Sequence, residues 1–453
     1  MNVLSMSTNI ILIAGVNVLL YWRTLSFGLV VDDIQRHHQR EKGQLDAGNW
    51  FNRLALKLRG GATFRNLKAD HALTVGINAL IAVLIYLAFG ASPASLLGAL
   101  LYSTNPVNHQ TSVWLNGRRY AVNIILVLLM ILFAPVGVLA YCLTPFFQIN
   151  ALLSPLWFVL DGRWPWLVLI VPAGILVGWK YLTGTFKARK VCNFEGMETG
   201  KIKFDKAIIF TKTIGFYFWH SLLPNKLTML YPTLYRFGLT YKTNQAGYKL
   251  DLDFYKGLVT LYLLGFLISI PGTGKFFAMW IILNLQWGNI YTITHTLADR
   301  YQSLPNVFLM MGIASLILTF PLTWAACVSA LLVGIYWARL QIAFGQYVDL
   351  GQFYLYQLHH FPGMVTLRYT MAGDAINRGD MGAAMAHIRE GIRFEPEDHN
   401  LHVLAALVFF KMKNLPAAHN YVTKARAYPY AYRDPAAEKL LRELEDKIKI
   451  GVR

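Results

Sequence analysis

The sequence predicts an all-α polytopic membrane protein that ends in a helical repeat domain. Three observations carry this. Of 453 residues, 55% are hydrophobic and only 15% charged, whereas soluble domains carry about 25% charged residues. Apolar runs near the roughly 20 residues a bilayer demands recur through residues 1–345. From Gly363 these runs stop and amphipathic helical patterns begin.

The candidate spans are 9–31, 71–90, 93–113, 119–142, 146–160, 165–183, 207–223, 256–271, 275–293, 305–320 and 322–340, eleven in all. The run 93–113 ends in polar residues and 146–160 is short, so both also suit re-entrant helices. Asn9–Val31 lacks a positive n-region and a small-residue cleavage site, and reads as a retained span rather than a signal peptide. An odd count places the chain ends on opposite sides of the membrane. It also gathers the polar stretches 32–70, 105–118, 224–255 and 294–304 on one face, joined by the tail after residue 341. The other face keeps tight turns (GASPAS, PGTGK) and the loop 184–206. That loop holds Lys187, Arg189, Lys190, Lys201, Lys203 and Lys206, which suits the cytoplasm. Charge alone does not orient the chain, because loop 32–70 holds eight Lys/Arg residues of its own.

The domain division is therefore a membrane domain at 1–345, with 32–70 as its first outer loop, and a helical domain at 364–453. In the second, Ala383-Ala384 recur 34 residues later as Ala417-Ala418, and Pro396 recurs as Pro429. A period near 34, with small residues where paired helices meet and a closing Pro, fits tetratricopeptide-like repeats. A capping helix is expected over 435–449.

The formal charge of +18 fits loops lying against anionic lipid head groups. The chain has no Lys/Arg-rich block with interleaved aromatics and no zinc or RNA-binding signature, so no nucleic-acid partner is expected. Cys142, Cys192 and Cys327 are scattered and imply no disulfide framework.

Four places carry candidate chemistry. In VVDDIQRHHQR, Asp32 and Asp33 directly follow the first apolar run. A carboxylate near hydrocarbon costs several kcal/mol if uncompensated, so the pair reads either as a placed acid–base site or as a solvated helix end. In NPVNHQTSVWLNGRRY, Arg118 and Arg119 stand at a membrane boundary, after Trp114 and an Asn116-Gly117 turn. Guanidinium groups there suit bidentate phosphate binding, and snorkelling arginines are the alternative. In HTLADRYQSLP, His295, Asp299 and Arg300 sit between two apolar runs. The functional reading aims Arg300 at a phosphate with Asp299 orienting it, and the bland one is a buried ion pair. Finally, His71 follows Asp70 at the head of the second span, with Asn78 two turns further along. Several familiar motifs fail. PGTGK lacks the upstream Gly of a phosphate-binding loop and continues with Phe276, the His pairs at 37–38 and 359–360 are not in an HExxH pattern, and no GxSxG occurs.

The order of these segments resembles the transmembrane and tetratricopeptide-repeat O-mannosyltransferases, polyprenyl-phosphate-sugar-dependent glycosyltransferases of the GT-C fold. Their W-D-D-R loop corresponds to VVDDIQR. Their H-P-V-H-T-E-A-V-A-W-I-S-G-R segment corresponds to NPVNHQTSVWLNGR, with Pro106, Val107, Trp114, Gly117 and Arg118 matching. Their A-E-R-Y-L-Y-L-P segment corresponds to ADRYQSLP, with Arg300, Tyr301, Leu304 and Pro305 matching. This chain departs from the pattern where the family's Glu is Gln110, its histidines are Asn105 and Asn108, and His109 fills the neighbouring Thr position. Its second-span pattern H-x-x-N-x-x-x-H becomes His71, Thr74 and Asn78, and its acidic residue after Gly-Arg is Tyr120.

The resemblance implies a GT-C-like membrane domain whose first loop faces the periplasm or another extracytoplasmic or lumenal space. The activity it implies moves a mannose-like hexose from a polyprenyl-phosphate sugar to a hydroxyl of a protein or glycan acceptor, with inversion. Asp32 is preferred as general base over Asp33. Arg300, Arg118, Arg119 and His71 are assigned to the donor phosphate. Asp299, Tyr301, His109, Gln110, Trp114, Asn116 and Asn78 are supporting residues, and the repeats present the acceptor surface. No metal is required where arginines stabilise the phosphate, and a phosphate-bridging Mg2+ or Mn2+ held by the aspartates is the alternative. Two other classes compete: a lipid-linked-glycan polymerase or O-antigen ligase, and a non-enzymatic repeat scaffold or lipid-sugar flippase.

Overall fold

A computed structural model describes residues 3–30, 33–34, 66–133, 153–163, 165, 203–228, 250–285, 297–428 and 435–451. Among them regular structure is helical throughout, with no strand. The longer helices of the N-terminal part are α1 (Val3–Tyr21), α2 (Leu67–Ala88), α3 (Pro93–Thr104), α4 (Arg118–Leu132), α5 (Lys203–Leu222), α6 (Leu252–Ile268), α7 (Gly274–Asn284), α8 (Pro305–Ile317) and α9 (Leu322–Ala343). The C-terminal half comprises α10 (Leu350–His360), α11 (Val365–Asn377), α12 (Met381–Phe394), α13 (His399–Lys411), α14 (Leu415–Ala427) and α15 (Pro435–Gly451).

Among the described residues four stretches are long and apolar enough to cross a membrane: Ser5–Ser26, Leu67–Ala88, Leu115–Leu132 and Leu322–Tyr347. The eleven expected spans are met only in part, for identifiable reasons. Run 93–113 breaks at Thr104. Asn105 ends the helix with its backbone N–H on the Leu101 carbonyl, its side chain accepts from the Val107 N–H to cap the next turn, and Pro106 starts that turn because it has no N–H to continue the old one. α7 and α8 are apolar but have 11 and 13 residues, short of a full crossing. α5 has the length but carries Lys206 and Lys212. Of run 146–160 the residues 153–160 are described and form only a short helix, Leu156–Leu160, while run 165–183 lies outside the described residues beyond residue 165.

One apolar core joins the bundle. Ile85 of α2, Leu101 of α3, Val127 of α4, Trp280 of α7 and Phe308 of α8 are buried together in it. Large apolar side chains of α1, α6 and α9 point outward instead, among them Leu19, Tyr262 and Trp324. Such a surface suits lipid rather than water. A second cluster closes one end of the bundle, where Tyr21, Phe27, Trp114, Phe344 and Tyr347 pack with Phe353 of α10 and Met364 ahead of α11.

The C-terminal half is a run of helical hairpins. The first helices of successive pairs start at Val365 and His399, and the second helices at Met381 and Leu415, each 34 residues apart. Asp380 and Asn414 cap the second helices at equivalent positions. The turns before them need positive φ, supplied by Gly379 (81°) and Lys413 (60°). Ala384 and Ala418 are fully buried at the seams, as a small residue at a close helix crossing should be.

Candidate functional site

The helix ends that meet at the second cluster also bring polar segments together. The C-terminal ends of α1, α3, α5 and α9 and the N-terminal ends of α2, α4 and α8 converge there, with the turns 105–117 and 297–304 between them. The turn 105–117 is held from several sides. Asn78 donates to the Ser112 carbonyl (2.8 Å), Asn105 to the Ser221 carbonyl (2.8 Å), and Gln110 to the Thr228 carbonyl (3.1 Å). Gly117 sits where its backbone presses on the Gln110 carbonyl, and any Cβ there would collide with it.

Asp33 is buried and accepts a hydrogen bond from the Asn116 backbone N–H (3.1 Å). Next along the chain, Arg118 is fully buried and tied to the first turns of α2. Its Nε donates to Thr74 Oγ1 (2.7 Å), Nη1 reaches Asp70 Oδ1 (3.4 Å), and Nη2 donates to the Asp70 carbonyl. Asp33 also lies within electrostatic reach of this guanidinium. His71 is buried against the edge of Phe27, ring centroids 6.4 Å apart, with the Phe27 backbone beside its ring. Asp32, the first loop beyond Ile34, and His295 lie outside the described residues.

Arg300 has different surroundings. Its side chain is buried, and Nη1 donates to Gln110 Oε1 (3.2 Å). The guanidinium carbon stands 5.0 Å from the Tyr301 ring centroid and 5.9 Å from that of Trp114. The Tyr120 and Tyr301 hydroxyls also face it. Nε has no partner, nor has Trp114 Nε1. Among the described residues no carboxylate pairs with Arg300. Arg119 turns toward the neighbouring Tyr120 ring (5.1 Å) and is half-buried, with its Nε unpaired.

Asp299 does not orient Arg300. Its fully buried carboxylate is held by two imidazoles, His109 Nε2 at 2.8 Å on Oδ2 and His220 Nε2 at 3.1 Å on Oδ1. Burial pushes the Asp299 carboxyl up, but His220 and His109 together outweigh it and hold the group below the usual carboxylate range. Tyr347 OH meets His109 Nδ1 at 2.7 Å. The same hydroxyl lies in the fields of Asp299, Arg300 and Asp33, which brings the first-loop acid and the 299–300 turn into one neighbourhood.

Sequence reasoning missed His220, Tyr347 and the bonding role of Thr74. His220 had a local signal, being the ionisable residue of α5's last turn and one helical turn beyond Phe216, on which it stacks (4.9 Å). Nothing local marks Tyr347, because its hydroxyl finds a partner only through tertiary packing.

As a divalent-cation site the described acids do not fit. Asp70 is bonded to Arg118, Asp299 to two imidazoles and Asp33 to a backbone amide. Among the described residues no three His, Cys, Asp or Glu side chains are arranged as metal ligands.

What the end of the bundle offers chemically is a buried cation in an aromatic frame, next to an unsatisfied donor from Trp114, with a buried carboxylate nearby. No protein-family model, no curated protein and no solved structure matches this chain.

Proposed function

We propose that the chain is a membrane glycosyltransferase of the GT-C type. It moves a hexose from a polyprenyl-phosphate sugar to a hydroxyl of a protein or glycan acceptor on the non-cytoplasmic face. The observation that carries this reading is Arg300: a buried guanidinium whose side-chain partners are the neutral Gln110 and the Tyr120 and Tyr301 hydroxyls, with Nε unsatisfied and no carboxylate on it among the described residues. Burying a charge without an opposite partner costs several kcal/mol, and an anionic ligand removes that cost. An apolar lipid tail fits the outward-facing apolar helices, and the phosphate then sits at the bundle end.

In this reading the acceptor O–H attacks the anomeric carbon as the bond to the phosphate oxygen breaks. The proton goes to a first-loop carboxylate, with Asp32 as base. The leaving polyprenyl phosphate gains charge, which Arg300 stabilises by preorganised electrostatics. One displacement inverts the anomeric centre. Asp33, bonded to the Asn116 amide, fixes the loop that presents Asp32. Arg118 orders the same end through Asp70 and Thr74, so its effect on phosphate is indirect. The C-terminal hairpins, with their 34-residue register, support a tetratricopeptide-like domain that offers an acceptor surface.

The test is transfer by the purified protein from polyprenyl-phosphate hexose in nanodiscs. Asp32→Asn is expected to lower turnover about 10²–10⁴-fold, with the lipid donor still bound. Full turnover by an Asp32→Asn/Asp33→Asn protein would remove the acid–base assignment.

A further inference from the structure

Asp299 and Arg300 are adjacent in a 3-10 turn, Asp299–Tyr301, and both are buried. Left to themselves, a buried carboxylate and a neighbouring buried guanidinium would pair, because each otherwise keeps a desolvated charge. They do not. Both carboxylate oxygens are engaged by imidazoles from distant segments, His109 from the turn after α3 and His220 from the end of α5.

The His109 half of this arrangement is fixed from behind. The Gln346 amide nitrogen faces the Ala343 carbonyl (3.1 Å) and the Leu227 carbonyl (3.4 Å), while Gln346 Oε1 accepts from Gln357 of α10 (2.9 Å). The Tyr347 hydroxyl is the nearest partner of His109 Nδ1 (2.7 Å), with the Gln346 amide nitrogen further off (3.4 Å). In the tautomer where Nδ1 accepts from that hydroxyl, Nε2 carries the hydrogen and donates it to Asp299 (2.8 Å). The His220 half is fixed by its stack on Phe216, with rings 16° from parallel.

We infer that His220 and His109 clamp the Asp299 carboxylate away from Arg300, so that the guanidinium keeps its charge for an anionic ligand. His220 and His109 are thus positioning residues. They act through Asp299 on the anion affinity of Arg300. This rests on the reading of Arg300 as the group that meets the donor phosphate. If the clamp is released, Asp299 swings to Arg300, neutralises it and competes with the phosphate.

The experiment measures binding of a fluorescent polyprenyl monophosphate to the full-length protein in nanodiscs, with the corresponding neutral polyprenol as control. Wild type is expected to prefer the monophosphate, and Arg300→Met to lose that preference. His220→Leu is expected to bind the monophosphate at least about tenfold more weakly, with polyprenol binding unchanged. His220→Leu/Asp299→Asn is expected to recover to within about threefold of wild type, because the competing carboxylate is gone. A purely structural role for His220 gives no such rescue. If His220→Leu does not fold, Asp299→Asn alone decides: the clamp requires it to bind the monophosphate at least as tightly as wild type, and weaker binding overturns the clamp. Unchanged binding by folded His220→Leu, in a wild type whose binding depends on Arg300, overturns the clamp but leaves the phosphate reading standing. A wild type with no preference for the monophosphate, or an Arg300→Met protein that keeps the preference, overturns the phosphate reading itself.

Discussion

Arg118 and Arg300 are both buried at the same end of the bundle, yet the fold treats them oppositely. Arg118 is neutralised inside the protein, its nitrogens directed to the Asp70 carboxylate, the Asp70 carbonyl and Thr74. Arg300 is given a neutral amide, two aromatic faces and an unsatisfied Nε, and the carboxylate next to it in sequence is turned to histidines. A buried charge that the fold has neutralised is structural. One that it leaves to an amide and aromatic rings is poised for a partner from outside. Two arginines with similar sequence settings thus stand in opposite electrostatic surroundings.

The largest contrast should appear on truncation. Arg118→Ala leaves Asp70 buried without its partner and is expected to lose about 3–5 kcal/mol of stability, read as a lowered thermal midpoint in detergent. Arg300→Met removes a charge that has no internal counterion, and its midpoint should hold or rise. Equal losses in the two variants would erase the distinction. Thr74→Val tests the Arg118 side more gently. It strips the Nε acceptor and should cost about 1–3 kcal/mol while leaving monophosphate binding intact.

Acid provides a third probe, with a defined sign. Asp299 is held below its ordinary range in the folded protein, by His220 and His109 against the opposing push of burial. The unfolded group titrates near about 3.9. The folded state therefore binds fewer protons, so the stability from this carboxylate is complete above about pH 4 and is lost as pH falls through the lower folded-state value. The gap in thermal midpoint between wild type and Asp299→Asn should narrow as pH falls below about 4, and a gap that widens there contradicts a carboxylate held low by its imidazole partners.

The smallest effect concerns the aromatic frame of Arg300. Trp114→Phe weakens a face that stands 5.9 Å from the guanidinium carbon. It should reduce monophosphate affinity by about 0.5–1 kcal/mol, a few-fold change in a binding titration, with no change in the Arg118-dependent stability.

Much of the helical framework was legible in the sequence because its causes are local. Pro93, Pro305 and Pro435 start helices, Asn105-Pro106 stops one, and Asp380 and Asn414 mark the caps of repeated hairpins. The 34-residue register of Ala384 and Ala418 could be read directly, since each must be small where it is buried at a seam. The number of full spans was harder to read. An apolar run does not reveal whether its helix ends early, as α3 does at Thr104, or stays as short as α7 and α8.

At the candidate site, residue types were visible but partners were not. Asp33, Arg118 and Arg300 stood out as charges beside apolar runs, a local property. The sequence suggested that Asp299 would serve Arg300, the residue beside it. Adjacency in sequence does not by itself give contact where packed neighbours offer the carboxylate other partners. Asp299 instead meets His109 and His220, 190 and 79 residues away in the chain. The sequence by itself determined which segments are helical and which charges must be accounted for, because propensity, capping and desolvation act residue by residue. Only the tertiary structure decided which charge neutralises which, because that choice depends on the directions in which packed helix ends aim their side chains.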